Sequence, residues 1–421
     1  MEDYVKTNFK IAKCCRYVPV DLNQVRKQCV TTKTFQSTDC HCGRSKEWHS
    51  KNGINVEDKN KENEQESTPS WSLEKDTVEE ECQSFGTIEF EPGMNANRRL
   101  FARGAMAKFI RIGANTSDEF MDQVYQLMIS HWKMRQPQLI IEVTGAARTL
   151  PHVNRDALQA FKHGLVQAAK TSNAWLVTGG TNCGVMELVG DAVSKYNLTH
   201  NRKNRLICLG IATWGIVENR DSLVDVNGSK RTYTVDDVAA GESPLDPGHN
   251  YFLLVDNGLE KRFGHEIEFR ARFTKHLTTK LLNRVQNICS TSHSTTPLVI
   301  LVIGGGFGTL VTVEKSCGAN QGKKEIKRPV VVFNGFGGVG DLLAFCFNKV
   351  QSYFEQTSKW SIEDLPEEFD EEVKNHLAFQ SLLGGDVNNQ EVVEKRIKSI
   401  KNCLENPKLA SHFKKCKCFS C

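Results

Sequence analysis

Two glycine-rich turns hold the residues of this chain best suited to chemistry: Val177-Thr178-Gly179-Gly180-Thr181-Asn182-Cys183-Gly184-Val185-Met186 and Val302-Ile303-Gly304-Gly305-Gly306-Phe307-Gly308-Thr309-Leu310. Each follows directly on an apolar run. Consecutive glycines at the end of a strand let the backbone come close to a phosphate, and a helix that starts there offers unpaired N–H groups and the positive end of its dipole. One such turn is weak evidence; two in register imply a phosphate pocket. The competing reading is structural, because glycine also permits close helix–strand packing.

Neither turn matches the common nucleotide signatures. The second lacks the Gly-Lys-Ser/Thr of a P-loop, and Thr309 stands where a dinucleotide fingerprint needs its last glycine.

The elements that must position these turns are legible from Pro137 to about Val350. Short apolar runs recur at Leu139–Val143, Trp175–Val177, Leu206–Ala212, Tyr251–Val255, Leu298–Ile303 and Val330–Phe333. Runs without alternation suit strands covered on both faces. Helical spacing lies between them, as in Leu158, Phe161, Leu165, Ala168 and Ala169. Strand and helix in alternation predict an α/β fold with a doubly wound, mostly parallel Rossmann-like sheet. Ligands of such sheets sit beyond the carboxyl ends of the strands, which puts both glycine turns on the functional edge.

Around this core we expect a Cys-containing leader and polar disordered linker over 1–85, a nucleotide-binding domain over 86–350 that opens on the short strand Gly86–Phe90, and a helical tail with a Cys-rich end over 351–421. The segment from about Ser50 to Glu81 is polar and charged, the composition of a linker.

The 421 residues carry a formal charge of only +4, and no dense basic block covers a helix face, so the chain makes no case for nucleic acid. No apolar run approaches the roughly 20 residues that span a bilayer. The start, Met1-Glu2-Asp3-Tyr4-Val5-Lys6, lacks a secretory pattern, which predicts a cytoplasmic chain with reduced thiols. The fifteen cysteines, an odd count, argue the same way.

Taken together, the two turns resemble the pair found in the SMF/DprA–LOG superfamily, with Gly304 in place of a proline. The surroundings narrow the match. Trp132 near Pro137-Gln138-Leu139, Val143-Thr144-Gly145, Phe161-x-x-Gly164-Leu165, Ala174–Gly180, Gly210–Gly215, His249–Gly258 and Gly264-x-Glu266-Ile267 resemble the cytosolic N-terminal region of melastatin-type TRP cation channels over roughly Ile88 to Val350. Among these channels the closest similarity is to the ADP-ribose-gated, calcium-permeable member. The resemblance implies a place in the cytosolic skirt of a homotetramer, against other channel subunits, and binding of ADP-ribose or a related adenine nucleotide.

Such a pocket needs backbone donors for a pyrophosphate, an arginine, and an aromatic or apolar slot for adenine. The implied ligand-binding residues are Thr144, Gly145 and Arg148 after the first strand, Gly179 and Gly180 after the second, and Gly305, Gly306, Phe307, Gly308 and Thr309 after the later one. Phe263 and Arg270 resemble the aromatic and arginine pair of the family's nucleotide site. For Arg270 the alternative is a surface pair with Glu266, four residues earlier on a helix. On the nucleotide reading, Arg270→Ala should weaken binding more than it lowers melting.

Three departures from the pattern bear on function. Ala146 replaces a glycine, and Gly338 stands where the resemblance places an arginine. The related phosphoribohydrolases carry a catalytic glutamate at the place of Thr312; Glu314 is about 200° away around a helix. Binding without turnover is therefore expected, with no cofactor. A phosphoribohydrolase acting on nucleoside monophosphates and a purely structural subunit-contact domain are the alternatives. The chain reads equally as a fragment, a splice form or a free-standing protein.

Cys40, Cys42 and His49 have metal-ligating side chains, with Cys29 as a candidate fourth ligand. Cys-x-Cys is tighter than usual zinc spacing, so reduced packing thiols, with no metal, are the preferred reading. Cys418-Phe419-Ser420-Cys421 makes a poor prenylation box, and palmitoylation beside Lys414 and Lys415 is a weaker alternative to an accidental end.

Overall fold

Each apolar run of the central region becomes a strand, and its alternate residues enter different cores. In the computed structural model, Ile140, Trp175, Val177, Leu209, Ile300 and Val302 join one hydrophobic cluster. Ile141, Val143, Leu176, Cys208 and Ile303 join another. Successive side chains of a strand point to opposite faces, so a sheet covered on both sides needs an apolar residue at every position. The structure describes residues 1–20, 36–56, 71–92, 105–147, 153–235, 242–286, 296–318, 328–357, 365–376, 379, 382 and 389–404.

Eleven strands are described: β1 (Lys10–Cys14), β2 (Thr77–Glu81), β3 (Phe85–Pro92), β4 (Met106–Gly113), β5 (Leu139–Gly145), β6 (Ala174–Thr178), β7 (Ile207–Thr213), β8 (Lys230–Val235), β9 (Tyr251–Asp256), β10 (Leu298–Ile303) and β11 (Val330–Phe333). β1 and β2 form a small antiparallel ribbon. The other nine form one sheet in the order β11-β10-β5-β6-β7-β9-β4-β3-β8. All its neighbours are parallel except β3 and β4.

The α-helices include α1 (Glu2–Asn8), α2 (Lys46–Lys51), α3 (Asp118–Gln126), α4 (Arg155–Thr171), α5 (Gly184–Leu198), α6 (Glu266–Gln286), α7 (Phe307–Gly318), α8 (Gly338–Thr357), α9 (Glu367–Asn375) and α10 (Gln390–Leu404). Asn154 caps α4 by accepting from the Asp156 amide at 2.9 Å. Phe161, Leu165 and Ala169 of that helix, spaced by four, then pack with Val185, Val189 and Val193 of α5 on one face of the sheet. The opposite face is covered by Phe269, Phe273 and Leu277 of α6, Leu310 and Val313 of α7, and Leu342, Leu343 and Phe347 of α8.

The fold is the expected doubly wound α/β sheet, with a helical C-terminal portion. The order of strands adds one fact the sequence withheld. The chain moves outward from β5 through β6 and β7, then returns to lay β10 and β11 on the other side of β5. The switch point, where connections diverge to opposite faces, lies between β5 and β10.

The polar stretch expected over Ser50–Glu81 is shorter in the fold. Residues 57–70 lie outside the described residues, whereas Thr77–Glu81 is β2, pairing with β1. No described helix is long and apolar enough to cross a membrane.

Candidate functional site

Both glycine turns lie on one rim, because β5, β6 and β10 run parallel as neighbours and the turns follow their carboxyl ends. The two turns do different work there.

The first turn is locked by protein groups. The Gly180 amide donates to Thr178 Oγ1 at 2.9 Å, and Thr178 Oγ1 lies 2.8 Å from His249 Nε2. His249 Nδ1 in turn is 2.8 Å from Asp246 Oδ1, and all three side chains are buried. Burial opposes charge on His249, but the Cys208 sulfur and the Asp246 carboxylate outweigh it and push its pKa up to about 10. A charged imidazole donates from both nitrogens, which suits a Thr178 hydroxyl that accepts and a carboxylate beyond it. The start of α5 is also occupied: Val185 donates to the Ala146 carbonyl at 2.8 Å and Asn182 to Pro244 at 2.8 Å. Gly180, at φ +72°, has no room for a side chain, since a Cβ would lie 2.7 Å from Gly210 Cα.

The second turn is open. Gly306 and Gly308 are exposed, and a Cβ at either would meet nothing within 4 Å. Helix α7 starts at Phe307, so the amides of Phe307 and Gly308 fall in its first turn and have no intrahelical acceptor. Thr309 and Leu310 reach back to the Gly306 carbonyl at 3.0 and 3.2 Å. Gly305, in contrast, is structural: at φ +102° a Cβ there would collide with Thr309 Oγ1. This open helix start sits at the β5–β10 switch point.

Of the other expected residues, Gly145 packs so closely on Ile303 that a Cβ would strike its carbonyl oxygen, and Thr144 is buried. Thr309 is buried as well and spends its hydroxyl on the Gly145 carbonyl at 2.9 Å, tying α7 to β5. Phe263 is 42% exposed, on the same rim, after β9 and two strands away from β6. Phe307 carries the Arg396 guanidinium of α10 on its ring, 3.1 Å from the centroid. Arg148 lies outside the described residues.

Arg270 is neither a surface pair with Glu266 nor an exposed phosphate contact. It is 4% exposed, and its Nε is 3.0 Å from Oε1 of Glu142, which is fully buried on β5. Its Nη2 donates to Thr312 Oγ1 on α7 at 3.0 Å, and its Nη1 is 3.7 Å from where a Gly179 Cβ would be. Glu266 accepts instead from Thr213. The side chain therefore links β5 to α7, with the first turn packed alongside. The fit is loose on one side: both Glu142 oxygens and Arg270 Nε lack a hydrogen-bond partner among the described residues.

Sequence reasoning passed over Glu142, although a single carboxylate inside Leu139-Ile140-Ile141-Glu142-Val143 was a visible signal. It also gave no role to Asp246, His249 or Arg396: Asp246 and His249 are only three residues apart, but His249 meets Thr178, and Arg396 meets Phe307, only across the fold. The expected missing cation at Gly338 takes a sharper form. Gly338 has φ +59°, and a Cβ there would strike the Gly305 carbonyl oxygen, so this loop path excludes an arginine. A cleft of about 400 Å³ lined by Arg135, Lys170, Asn173, Tyr196 and His200 lies at the opposite end of the sheet, where β6 and β7 begin, and contains none of the expected residues.

A nine-stranded doubly wound sheet with a glycine turn at its switch point defines a Rossmann-like domain. Residues 107–381 match the family model described as SLOG in TRPM, and the chain belongs to that family. It is 28% identical over 413 residues to the transient receptor potential cation channel subfamily M member-like 2 of Nematostella vectensis, covering 97% of this chain and 23% of that one. It is 31% identical over 351 residues to subfamily M member 6 of Homo sapiens, covering 82% and 16%. To subfamily M member 2 of Mus musculus it is 31% identical over 277 residues, covering 65% and 17%. The chain thus spans less than a quarter of the length of these relatives.

Proposed function

We propose that this chain is a cytosolic ligand-sensing and assembly domain of a TRPM-type calcium-permeable channel, binding ADP-ribose or a related adenine nucleotide through its second glycine turn. The observation that carries the reading is the start of α7, where exposed Gly306 and Gly308 flank half-buried Phe307 and a Cβ at either glycine would meet nothing within 4 Å among the described residues. A pyrophosphate there would take the free amides and the helix dipole without desolvating a side chain. Exposed Phe263 is an aromatic surface on the rim available to the adenine, while the Phe307 ring is taken up by Arg396. That arginine brings a positive charge close to the cradle.

The reading is binding without hydrolysis. Thr312 has no carboxylate to offer, and the buried carboxylate nearest to it in the Arg270 cluster, Glu142, faces Arg270 and not solvent. Channel subunits, in a homotetramer, are the partners this role requires.

Calorimetric titration of the 421-residue chain with ADP-ribose tests the proposal. Saturable heat accompanied by a ligand-dependent rise in Tm is expected. No heat and no stabilisation at millimolar ligand would leave a structural subunit-contact domain, a reading favoured by the packing of α10 on α7 through Arg396–Phe307 and the 2.8 Å Asn402–Glu314 hydrogen bond. Release of free adenine from adenosine monophosphate, abolished by altering the second turn, would point to an enzyme instead.

A further inference from the structure

Four side chains that could ligate a metal meet in the N-terminal segment, far from the glycine rim in sequence. Cys14 ends β1, Cys40 and Cys42 flank a tight turn, and His49 lies on α2; their ligand atoms all fall within 4.8 Å of one another. None is more than 1% exposed. The Cys-x-Cys spacing is workable because the chain doubles back at Gly43. Its φ is +92°, its amide donates to the Cys40 carbonyl at 2.8 Å, and the Cys40 amide donates to Arg44 at 2.8 Å. Both sulfurs are thereby brought to one side of the turn.

The distances suit one tetrahedral ion. Bonds of about 2.3 Å to sulfur and about 2.05 Å to nitrogen put neighbouring ligands about 3.6 Å apart for N and S. His49 Nε2 is 3.5 Å from Cys14 Sγ and 3.6 Å from Cys42 Sγ. The other imidazole nitrogen is already engaged: Nδ1 lies 2.9 Å from the Ser45 carbonyl oxygen, to which it donates, leaving the Nε2 lone pair aimed at the sulfurs. Ligating histidines are oriented this way by a carbonyl or carboxylate behind them. Cys40 Sγ accepts the Val18 amide at 3.3 Å, a donor that favours thiolate. Packing alone explains burial of thiols, but not three sulfurs and an oriented imidazole converging on one point.

We propose that Cys14, Cys40, Cys42 and His49 bind a single Zn²⁺ as a closed structural site. Cys14 takes the place that spacing suggested for Cys29, which lies outside the described residues. The site would clamp the leader to the segment that follows β9. The Glu260 amide donates to the Cys42 carbonyl at 2.7 Å, Gly43 packs against the Glu260 carbonyl, Arg44 pairs with Glu260 at 2.8 Å, and Arg262 donates to the His41 carbonyl at 2.9 Å. That segment runs directly into Phe263. The proposal is independent of any nucleotide, since it rests on a separate set of residues.

The test uses the full chain, purified under reducing conditions and dialysed free of loose metal. Mass spectrometry of the metal content should find one zinc per chain, retained by Cys15→Ser, whose position is exposed, and reduced about tenfold or more by Cys42→Ser and His49→Ala. Because a ligand variant can fail to fold, the parent chain is also grown with cobalt. Intense visible bands of tetrahedral Co²⁺ with thiolate-to-cobalt charge transfer are expected. A parent chain that holds no zinc, or whose cobalt form has only the pale spectrum of an oxygen-ligated ion, overturns the proposal. So does full zinc content in both ligand variants.

Discussion

Replacing Arg270 by alanine strands a carboxylate. Glu142 is fully buried, and among the described residues the cation paired with it is Arg270, itself 4% exposed, at 3.0 Å. Breaking a buried ion pair by removing one partner costs about 3–5 kcal/mol, because the remaining charge has lost its compensation. The lost hydrogen bond to Thr312 adds about 1 kcal/mol. At about 2–4 °C per kcal/mol for a domain of this class, Arg270→Ala should lower Tm by roughly 8–24 °C in the absence of ligand. This reverses the expectation that the change would act on binding more than on melting. Thermal and urea unfolding of the parent, Arg270→Ala, Glu142→Gln and the double variant form the cycle. Neutralising Glu142 in the Arg270→Ala background should restore a large part of the loss, since an amide costs less to bury than an unpaired carboxylate. Melting of Arg270→Ala within about 1 °C of the parent would refute the reasoning. An additive double variant would refute it equally.

Four further outcomes follow from the geometry of the rim. Gly306→Val should leave Tm nearly unchanged, because its Cβ enters open space, yet weaken ADP-ribose binding by about tenfold or more in titration; Gly145→Ala should destabilise, since its Cβ strikes the Ile303 carbonyl. Gly338→Arg should lower Tm and not strengthen binding, because φ +59° and the Gly305 carbonyl oppose any side chain, and a gain in affinity would contradict this loop path. The His249 pKa, raised from 6.5 to about 10 in the fold, makes a contribution to stability that is complete below about pH 6.5 and lost as pH climbs through about 10. Urea midpoints measured from pH 6 to 10 should fall more steeply for the parent than for His249→Gln.

Much of the scaffold could be read from local pattern. Leu298–Ile303 and Val330–Phe333 are strands with the expected bounds, and Leu139–Val143, Trp175–Val177 and Tyr251–Val255 extend by one or two residues. Unbroken apolar runs announce doubly covered strands because each face demands its own apolar residue. β4 and β8 were passed over: Met106-Ala107-Lys108-Phe109-Ile110-Arg111-Ile112 is interrupted by charges, and Lys230–Val235 is largely polar. In β4 the interruption is resolved at a distance, by the buried pairing of Arg111 with Asp256 at 2.6 Å.

The site divides along the same line. By itself the sequence determined that glycines follow strand ends, that Thr312 replaces a carboxylate, and that Cys40, Cys42 and His49 lie close along the chain. Only the tertiary structure decided which glycine turn is open, because that depends on the Ala146 and Pro244 carbonyls taking amides of the first, while among the described residues a Cβ at Gly306 or Gly308 would meet nothing within 4 Å. It alone paired Arg270 with Glu142 and brought Cys14 to His49. The physical reason is range: hydrogen-bonding period and backbone freedom act over a few neighbouring residues, whereas burial and the choice of partner are settled between segments that meet only when the sheet and its helices have packed.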